Sequence, residues 1–174
     1  RCIVAAGAWA GPLLEPAGFS LPVSVTREQV FYFRPAIDMV PFIDHGSIAR
    51  YAVPAFAGAA GVKIAEHMTG ERTSAAGRSF ELDPEGEARV AAYVEAMLPG
   101  LDPEPVAFET CLYTMTPDQD FVIDARGPLI VASACSGHGF KFAPLIGEAL
   151  ARLATGTHPL PFALDRFSPA RFNA

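Results

Sequence analysis

Short apolar runs separated by glycine and proline make up much of the chain, and their lengths are those of strands. Residues 2–6 form such a run closed by Gly7, which is the pattern of a fully buried strand. Later segments rich in Val, Ile, Phe and Tyr are bounded by turn residues, so each is predicted to be a strand. These segments are residues 23–34, 41–44, 50–55 and 61–68.

Other stretches have helical spacing. Asp83-Pro84-Glu85 is a typical helix start, because it offers an N-cap candidate, a proline in the first turn and acids near the positive end of the helix dipole. Val90, Val94 and Met97 follow at helical spacing, and Pro99-Gly100 ends the run. Further helices are predicted over residues 8–14 and 144–153.

Strands are also predicted over residues 106–114, 121–124 and 129–134, and the last of them runs into a glycine turn before the helix at 144–153. The mixture predicts an α+β fold, with a large, mostly antiparallel sheet and a strand-turn-helix element near the end. The chain opens within a buried-type strand for which no earlier sequence supplies partners. We therefore expect it to be the C-terminal part of a longer protein.

Composition narrows the classes of function. The chain has 174 residues, 51% of them hydrophobic, so it can bury a substantial core in one or two domains. A net charge of −6 without any basic run argues against a nucleic-acid surface. No apolar stretch reaches the length of a membrane span. The widely spaced cysteines, Cys2, Cys111 and Cys135, are odd in number and fit a reducing compartment, so we predict a cytoplasmic protein.

The glycine turn Ser136-Gly137-His138-Gly139-Phe140-Lys141-Phe142 is the most informative stretch. A strand that passes through such a turn into a helix directs backbone N–H groups at one point, where an anion or an electron-rich ring binds. Glycines let a ligand approach the backbone closely. From the residues alone, the preferred interpretation of His138 is a structural histidine that caps the turn, and Lys141 is equally a solvated residue.

Several motifs together resemble the C-terminal half of the monomeric sarcosine oxidase and N-methyl-amino-acid oxidase family. They occur in family order along nearly the whole chain, and the pair Cys-x-Tyr-Thr and Gly-His-Gly-Phe-Lys-Phe is specific. The motifs are Ala6-Gly7-Ala8-Trp9, Tyr51-Ala52-Val53-Pro54, Gly61-Val62-Lys63-Ile64, Cys111-Leu112-Tyr113-Thr114, Asp118-Gln119-Asp120-Phe121-Val122-Ile123-Asp124 and the glycine turn.

The resemblance implies an FAD enzyme that oxidises secondary amines, and it implies a division into domains. Residues 1–20 and 111–174 would belong to a Rossmann-like FAD-binding domain, and residues 21–110 to a substrate domain with a sheet and a helix. The family's G-x-G-x-x-G fingerprint is absent here, because Phe142 stands where the third glycine would follow Gly137-x-Gly139. We expect that fingerprint in a missing N-terminal half, which would be the partner of this chain.

The resemblance also assigns residues. It makes Cys111 the residue that forms a thioether to the flavin, which requires a thiolate and hence a neighbouring feature that favours ionisation. It makes Lys63 the cation that activates oxygen. The strand period places His67 on the same face, and His67 is predicted to be catalytic together with Lys63. His138 becomes an active-site group, and Lys141 binds the substrate carboxylate. The remaining assignments are Tyr51 and Tyr113 to substrate, and Ala6, Gly7, Trp9, Gly137, Gly139, Phe140 and Lys141 to the cofactor.

Each assignment has a plainer alternative. Cys111 alone would most often be a small buried hydrophobic residue, as we expect of Cys2 and Cys135. Lys63 alone would be a solvent-facing lysine on an edge strand, and Tyr113 a core aromatic residue. The scattered histidines show no metal-ligand spacing, so no metal site is predicted.

The sequence therefore predicts an oxidase that converts a sarcosine-like N-methyl or cyclic amino acid to an imine, with hydrogen peroxide as the second product. Its predicted partners are the amine and oxygen. Two alternatives stay open: a related dehydrogenase that uses another electron acceptor, and a non-catalytic β-rich module that binds an anion at the glycine turn.

Overall fold

The computed structural model describes residues 1–56 and 58–172. The strands are β1 (Cys2–Val4), β2 (Ser24–Phe33), β3 (Phe42–His45), β4 (Ala49–Val53), β5 (Val62–Glu66), β6 (Glu71–Thr73), β7 (Ala107–Met115), β8 (Val122–Arg126) and β9 (Leu129–Ser133). The α-helices are α1 (Ala10–Leu14), α2 (Pro84–Met97) and α3 (Ala143–Thr155). Short 3-10 helices cover Gly7–Trp9, Glu15–Ala17, Phe140–Phe142, Asp165–Phe167 and Pro169–Phe172.

The chain forms two compact units. Unit 1 comprises residues 1–25 together with the described residues from Tyr113 onward, and unit 2 comprises Thr26–Leu112. The chain passes between the units twice, within β2 between Val25 and Thr26 and within β7 between Leu112 and Tyr113. The assignment of these units to a flavin-binding and a substrate domain stays a prediction. None of the helices in the described residues is long and apolar enough to cross a membrane.

Unit 2 is built on a six-stranded sheet in the order β3-β4-β5-β2-β6, with β7 also paired to β2. Its registered pairs are antiparallel, which confirms the predicted antiparallel sheet. The sheet's core is formed by Phe31, Phe33, Ala52, Val62 and Ile64, which pack with Val90 and Val94 of α2. We call the side of the sheet that packs on α2 the helix side.

Helix α2 forms where the capping signal predicted it. The Asp83 carboxylate accepts a hydrogen bond from the Glu85 N–H at 3.1 Å, and the buried Val90 and Val94 provide its apolar stripe. An ion-paired cluster also joins α2 to the sheet, because the buried Glu66 carboxylate lies 2.9 Å from Arg50 of β4 and 3.0 Å from Arg89 of α2.

Unit 1 contains a three-stranded sheet in the order β1-β9-β8. Strand β1 is parallel to β9, whereas β8 and β9 form an antiparallel hairpin through Gly127-Pro128. One face of the sheet packs Val122 and Val131 against Leu14 of α1. The other face packs Ile123, Ile130 and Ala132 against Ile146 and Leu150 of α3. Apolar residues therefore alternate between two helix-covered faces.

The structure corrects the prediction for the first strand. Cys2 and Ile3 are exposed, with Ile3 at 42% exposure, so the strand is not fully buried and Cys2 is not an interior residue. The reason is that β1 is the edge strand of the described sheet, with β9 on one side and no strand on the other. Cys135 is half-buried, and burial raises the pKa of its thiol.

Candidate functional site

Two loops of unit 1 leave the same edge of its sheet. The parallel register places Cys2 opposite Leu129 and Val4 opposite Val131, so the carboxyl ends of β1 and β9 lie side by side. The predicted cofactor residues Ala6, Gly7 and Trp9 follow β1, and the glycine turn follows β9. The carboxyl edge of adjacent parallel strands is where ligands of α/β sheets bind.

The glycine turn has a tightly constrained backbone. Ser136 has a φ of 41° and Gly137 a φ of 70°, so two successive residues occupy the left-handed region. The N–H groups of His138 and Gly139 both donate to the Cys135 carbonyl, at 3.0 and 2.8 Å. A Cβ added at Gly139 would overlap the carbonyl oxygen of Ala134, so only glycine fits there.

This geometry changes the expected role of the backbone N–H groups. Those of His138 and Gly139 are used within the turn, and those of Ser136 and Phe142 donate to Thr114 and Gly139 at 2.9 Å each. The prediction that the turn directs its N–H groups together at a ligand is wrong for these residues. What the turn offers instead is a glycine backbone and the side chains of His138 and Lys141.

His138 has a fixed ring orientation although the residue is exposed. Its Nδ1 lies 2.7 Å from the Ser136 carbonyl oxygen, and its ring stacks on Phe121 with centroids 5.0 Å apart and planes at 27°. A carbonyl oxygen only accepts hydrogen bonds, so Nδ1 carries the proton. In the neutral imidazole Nε2 is therefore the nitrogen with a lone pair.

Lys141 is exposed and lies in the 3-10 turn that precedes α3. Its Nζ donates to the His138 carbonyl oxygen at 3.2 Å and lies 5.1 Å from the centroid of the Phe142 ring. No ion pair to a carboxylate involves Lys141 among the residues that the structure describes. The neighbouring Phe140, predicted to contact the cofactor, is 95% exposed.

Lys63 of unit 2 lies on the side of the sheet opposite to α2. Val62 and Ile64 belong to the helix-side core, and strand alternation turns Lys63 to the other side. Lys63 is half-buried, and its Nζ lies 5.7 Å from the centroid of the Tyr51 ring. The plainer alternative of an edge-strand lysine is wrong, because β5 is an interior strand between β4 and β2.

Tyr51 and His67 are carried by the same pair of strands. Tyr51 is opposite Ala65 in the antiparallel register, so its side chain belongs to the same side as Lys63. The His67 N–H donates to the Ala49 carbonyl at 2.8 Å, which extends the ladder by one residue beyond β5. The structure thus brings Lys63 and Tyr51 together and places His67 at the end of the same strand.

Cys111 lies half-buried in β7, which pairs with β2. Burial raises the pKa of its thiol, as do the carboxylates of Glu28 and Glu109, whereas the Lys63 ammonium lowers it. The net shift is upward, and the Lys63 ammonium is the neighbouring feature that favours ionisation. Burial is the largest cause of this shift, and the buried Glu28 adds to it. The Glu28 carboxylate accepts hydrogen bonds from Thr26 and Gly70 at 2.6 and 3.0 Å.

Sequence reasoning missed the residues that hold the glycine turn and the His138 ring. Phe121 and Thr116 lie far from the turn in sequence, and no motif signals their contacts with it. Glu28 could have been noticed, because a carboxylate within an alternating strand is an unusual interior residue.

Tyr113 is half-buried on the unit 1 side of the boundary in β7. No group of three or more His, Cys, Asp and Glu in the described chain could hold a metal ion.

Comparisons with known proteins identify relatives along almost the whole chain. The family model described as FAD dependent oxidoreductase matches residues 1–153. Monomeric sarcosine oxidase of Arthrobacter sp. (strain TE1826) is 33% identical over 169 residues, covering 88% of this chain and 43% of that protein. Peroxisomal sarcosine oxidase of Homo sapiens is 32% identical over 189 residues, covering 95% of this chain and 47% of that protein.

The fold is also found in solved structures. NikD, described as an unusual amino acid oxidase essential for nikkomycin biosynthesis, superposes with a TM-score of 0.78 at 23% identity over 96% of this chain and 47% of that one. These matches confirm the resemblance to the sarcosine oxidase group. The chain spans less than half the length of the curated relatives reported above.

Proposed function

Because the chain belongs to the FAD dependent oxidoreductase family, we propose that the whole protein is a flavin oxidase of secondary amines that carry a carboxylate. The substrates would be sarcosine-like N-methyl or cyclic amino acids, and the products an imine and hydrogen peroxide. The observation that carries the proposal is the pairing of His138 with Lys141 on a glycine turn at the carboxyl edge of parallel strands. The sarcosine oxidases among its relatives support the choice of substrate class.

The residues at this edge fit a large planar cofactor. There is no room for a Cβ at Gly139, and the φ of Gly137 lies in the left-handed region, which favours glycine. The buried Ser133 Oγ at the end of β9 lacks a hydrogen-bond partner among the described residues. FAD, when bound, supplies the oxidant for the amine and passes the electrons to oxygen. In the proposal the glycine turn and the loop with Ala6, Gly7 and Trp9 hold it.

Lys141 and His138 would act on the substrate. The Lys141 ammonium contacts a carbonyl oxygen and a ring and makes no ion pair with the residues that the structure describes, so it can bind a carboxylate without first breaking one. His138 presents Nε2 as an acceptor because Nδ1 is bound to Ser136. In this role it orients the amine and accepts a proton from it, and the stacked Phe121 ring keeps the imidazole in place.

Lys63 would act on oxygen. Its ammonium is half-buried against Tyr51, so it keeps a positive charge in partly desolvated surroundings. Such a preorganised charge stabilises negative charge that develops on a small molecule such as oxygen. This role favours the oxidase over a dehydrogenase with another electron acceptor.

The test uses the full-length protein with its flavin. Anaerobic mixing with sarcosine should bleach the visible flavin absorbance, and admitting oxygen should restore it with one hydrogen peroxide formed per flavin. Bleaching without rapid recovery in oxygen would indicate the dehydrogenase instead. If the protein binds flavin and no secondary amino acid bleaches it, the proposal is wrong.

A covalent link through Cys111 is tested separately. Acid precipitation of the full-length protein should leave the flavin with the pellet, and Cys111→Ser should release it to the supernatant. Cys135→Ser is the matched control, because that thiol is also half-buried with a pKa raised by burial. Release of flavin from the unmodified protein would remove the covalent assignment and leave FAD binding intact.

A further inference from the structure

The glycine turn is held by a buried hydroxyl pair that the proposed chemistry does not use. Thr116 follows β7 and is 4% exposed, and Ser136 is 1% exposed. Their hydroxyl oxygens are 3.3 Å apart, and the Thr116 hydroxyl lies 2.6 Å from the Asp120 carbonyl oxygen. Since that carbonyl only accepts, Thr116 donates to it, and the Ser136 hydroxyl donates to Thr116.

Ser136 needs such an anchor because its backbone is strained. A φ of 41° is uncommon for a residue with a Cβ, and such outliers persist only where the surroundings enforce them. The Ser136 N–H donates to the Thr114 carbonyl at 2.9 Å, so this residue is tied to the end of β7 through both its backbone and its side chain.

The strained residue is also the one that orients the histidine. The Ser136 carbonyl oxygen accepts the hydrogen bond from His138 Nδ1 at 2.7 Å. A rotation of the Ser136 peptide would move this oxygen and remove the preference for a proton on Nδ1. The tautomer of the His138 ring therefore depends on the hydroxyl contact that Ser136 makes with Thr116, twenty positions upstream.

We infer that Thr116 is a positioning residue: its hydroxyl holds Ser136 in the left-handed conformation. The Ser136 carbonyl then keeps the His138 ring with its proton on Nδ1 and its Nε2 lone pair available. The inference deepens the proposed function, since it explains how an exposed imidazole keeps one orientation before substrate arrives. Thr116 itself touches neither substrate nor cofactor in this account.

The experiment measures the His138 tautomer by nitrogen NMR in the full-length holoenzyme labelled at histidine, with His138→Gln to assign the signal. The unmodified protein should show the Nδ1–H form, and Thr116→Val should shift it toward a mixture with the Nε2–H form. Thr116→Ser keeps the hydroxyl and should restore the Nδ1–H form. Ser136→Ala breaks the same pair from the other side and should give the same shift as Thr116→Val, without adding to it in the double variant.

The matched control is Thr155→Val, which removes a hydroxyl that donates to the Ala151 carbonyl at 2.9 Å near the far end of α3. It should leave the tautomer unchanged. In anaerobic flavin reduction, Thr116→Val should lower the rate several-fold and change its pH profile, and Thr116→Ser should recover both.

Two results overturn the inference. One is an unchanged His138 tautomer in both Thr116→Val and Ser136→Ala, and the other is a shift of the same size in Thr155→Val. The proposed function fails separately, because unaltered kinetics in His138→Gln would remove the catalytic role of the ring without affecting the tautomer measurement.

Discussion

The cations of this chain differ in their partners. Several arginines are paired with carboxylates, for example Arg50 with Glu66 and Arg171 with Asp118. Lys63 and Lys141 instead contact aromatic rings, at 5.7 and 5.1 Å from the centroids, and no ion pair involves either within the described residues. A cation that is not neutralised within the protein retains its field for a ligand, which is the property that both proposed roles require.

Substitution of Lys63 should separate the two halves of the reaction. Lys63→Met removes the charge and keeps an unbranched side chain, so reoxidation of the reduced flavin by oxygen should slow by about 10²–10³-fold. Anaerobic reduction by the amine should change much less, because the substrate carboxylate is assigned to Lys141. Both rates are measured by stopped-flow absorbance of the flavin.

Lys63→Arg is the matched variant, since it keeps the positive charge and should retain most of the reoxidation rate. Equal losses in both half-reactions of Lys63→Met would place Lys63 in substrate binding or in the integrity of the fold. Lys63→Met should also raise the pKa of the Cys111 thiol further, because the Lys63 ammonium is the nearby charge that lowers it.

At the scale of elements, a strong local signal predicts an element well, whereas contacts between residues distant in sequence leave no such signal. Helix α2 was predictable because a cap and an apolar stripe coincide at Asp83 and at Val90 and Val94. Strand β6, Glu71–Thr73, was missed because it carries no apolar alternation and depends on its pairing with β2.

The candidate site shows the same contrast between local patterns and contacts distant in sequence. The glycine turn was visible in the sequence, and the resemblance supplied roles for its residues. The Thr116 clamp and the Phe121 stack join residues from separate elements, so no local pattern reports them. The upward pKa shift of Cys111 comes first from burial and then from Glu28, a charge carried by another strand.

The turn after β9 should tolerate no side chain at Gly139. In Gly139→Ala the Cβ would overlap the Ala134 carbonyl oxygen, so the turn must open or the end of β9 must shift. We expect weaker FAD binding and a lower melting temperature, measured by flavin titration and by thermal unfolding of the apoprotein.

Gly147→Ala is the control, because it lies in the middle of α3 and an added Cβ meets nothing within 4 Å. Alanine is favoured over glycine in a helix by about 0.8–1.0 kcal/mol, so this variant should be slightly more stable. Similar flavin affinity in both variants would show that the Gly139 backbone is not part of the cofactor site.

The C-terminal tail of unit 1 is held by paired charges. Arg171 makes two contacts with the Asp118 carboxylate, at 2.6 and 3.1 Å, and Arg166 makes two with Asp120, at 2.9 and 3.1 Å. The Arg171 hydrogen bonds lower the pKa of Asp118 from 3.8 to about 2. The tail is thereby fixed close to Phe121, the residue on which His138 stacks.

This pair should make tail stability depend on acid pH. A carboxyl whose pKa is lower in the folded state contributes stability that is fully present above its unfolded pKa and is lost as pH falls through the folded value. The stability difference between the unmodified protein and Asp118→Asn should therefore be constant above pH ~5 and shrink between pH ~4 and pH ~2. Thermal unfolding across this range measures it, and a difference that stays constant to the lowest pH would contradict the pairing.

At the scale of the whole chain, acidic charge is in excess, with a net charge of −6. A carboxylate substrate approaches such a protein against its overall field, so a local cation must supply the attraction. The exposed Lys141, without a carboxylate partner in the described part of the chain, is the residue of unit 1 placed to do this beside His138. Recognition of the acid in the proposed function should therefore depend on this one side chain more strongly than on the net charge of this chain.

Matched amines test that dependence in the full-length enzyme. Sarcosine and dimethylamine share the N-methyl amine and differ in the carboxylate, so their ratio of kcat/KM measures carboxylate recognition. A hydrogen bond to a charged group contributes about 1.5–3 kcal/mol, so Lys141→Ala should lower kcat/KM for sarcosine about 10- to 100-fold. Dimethylamine should be little affected, and Lys141→Arg should retain much of the preference. The loss should appear mainly in KM, because a carboxylate held equally in ground and transition states contributes uniform binding. If Lys141→Ala weakens both amines equally, the lysine supports the turn and another residue binds the acid.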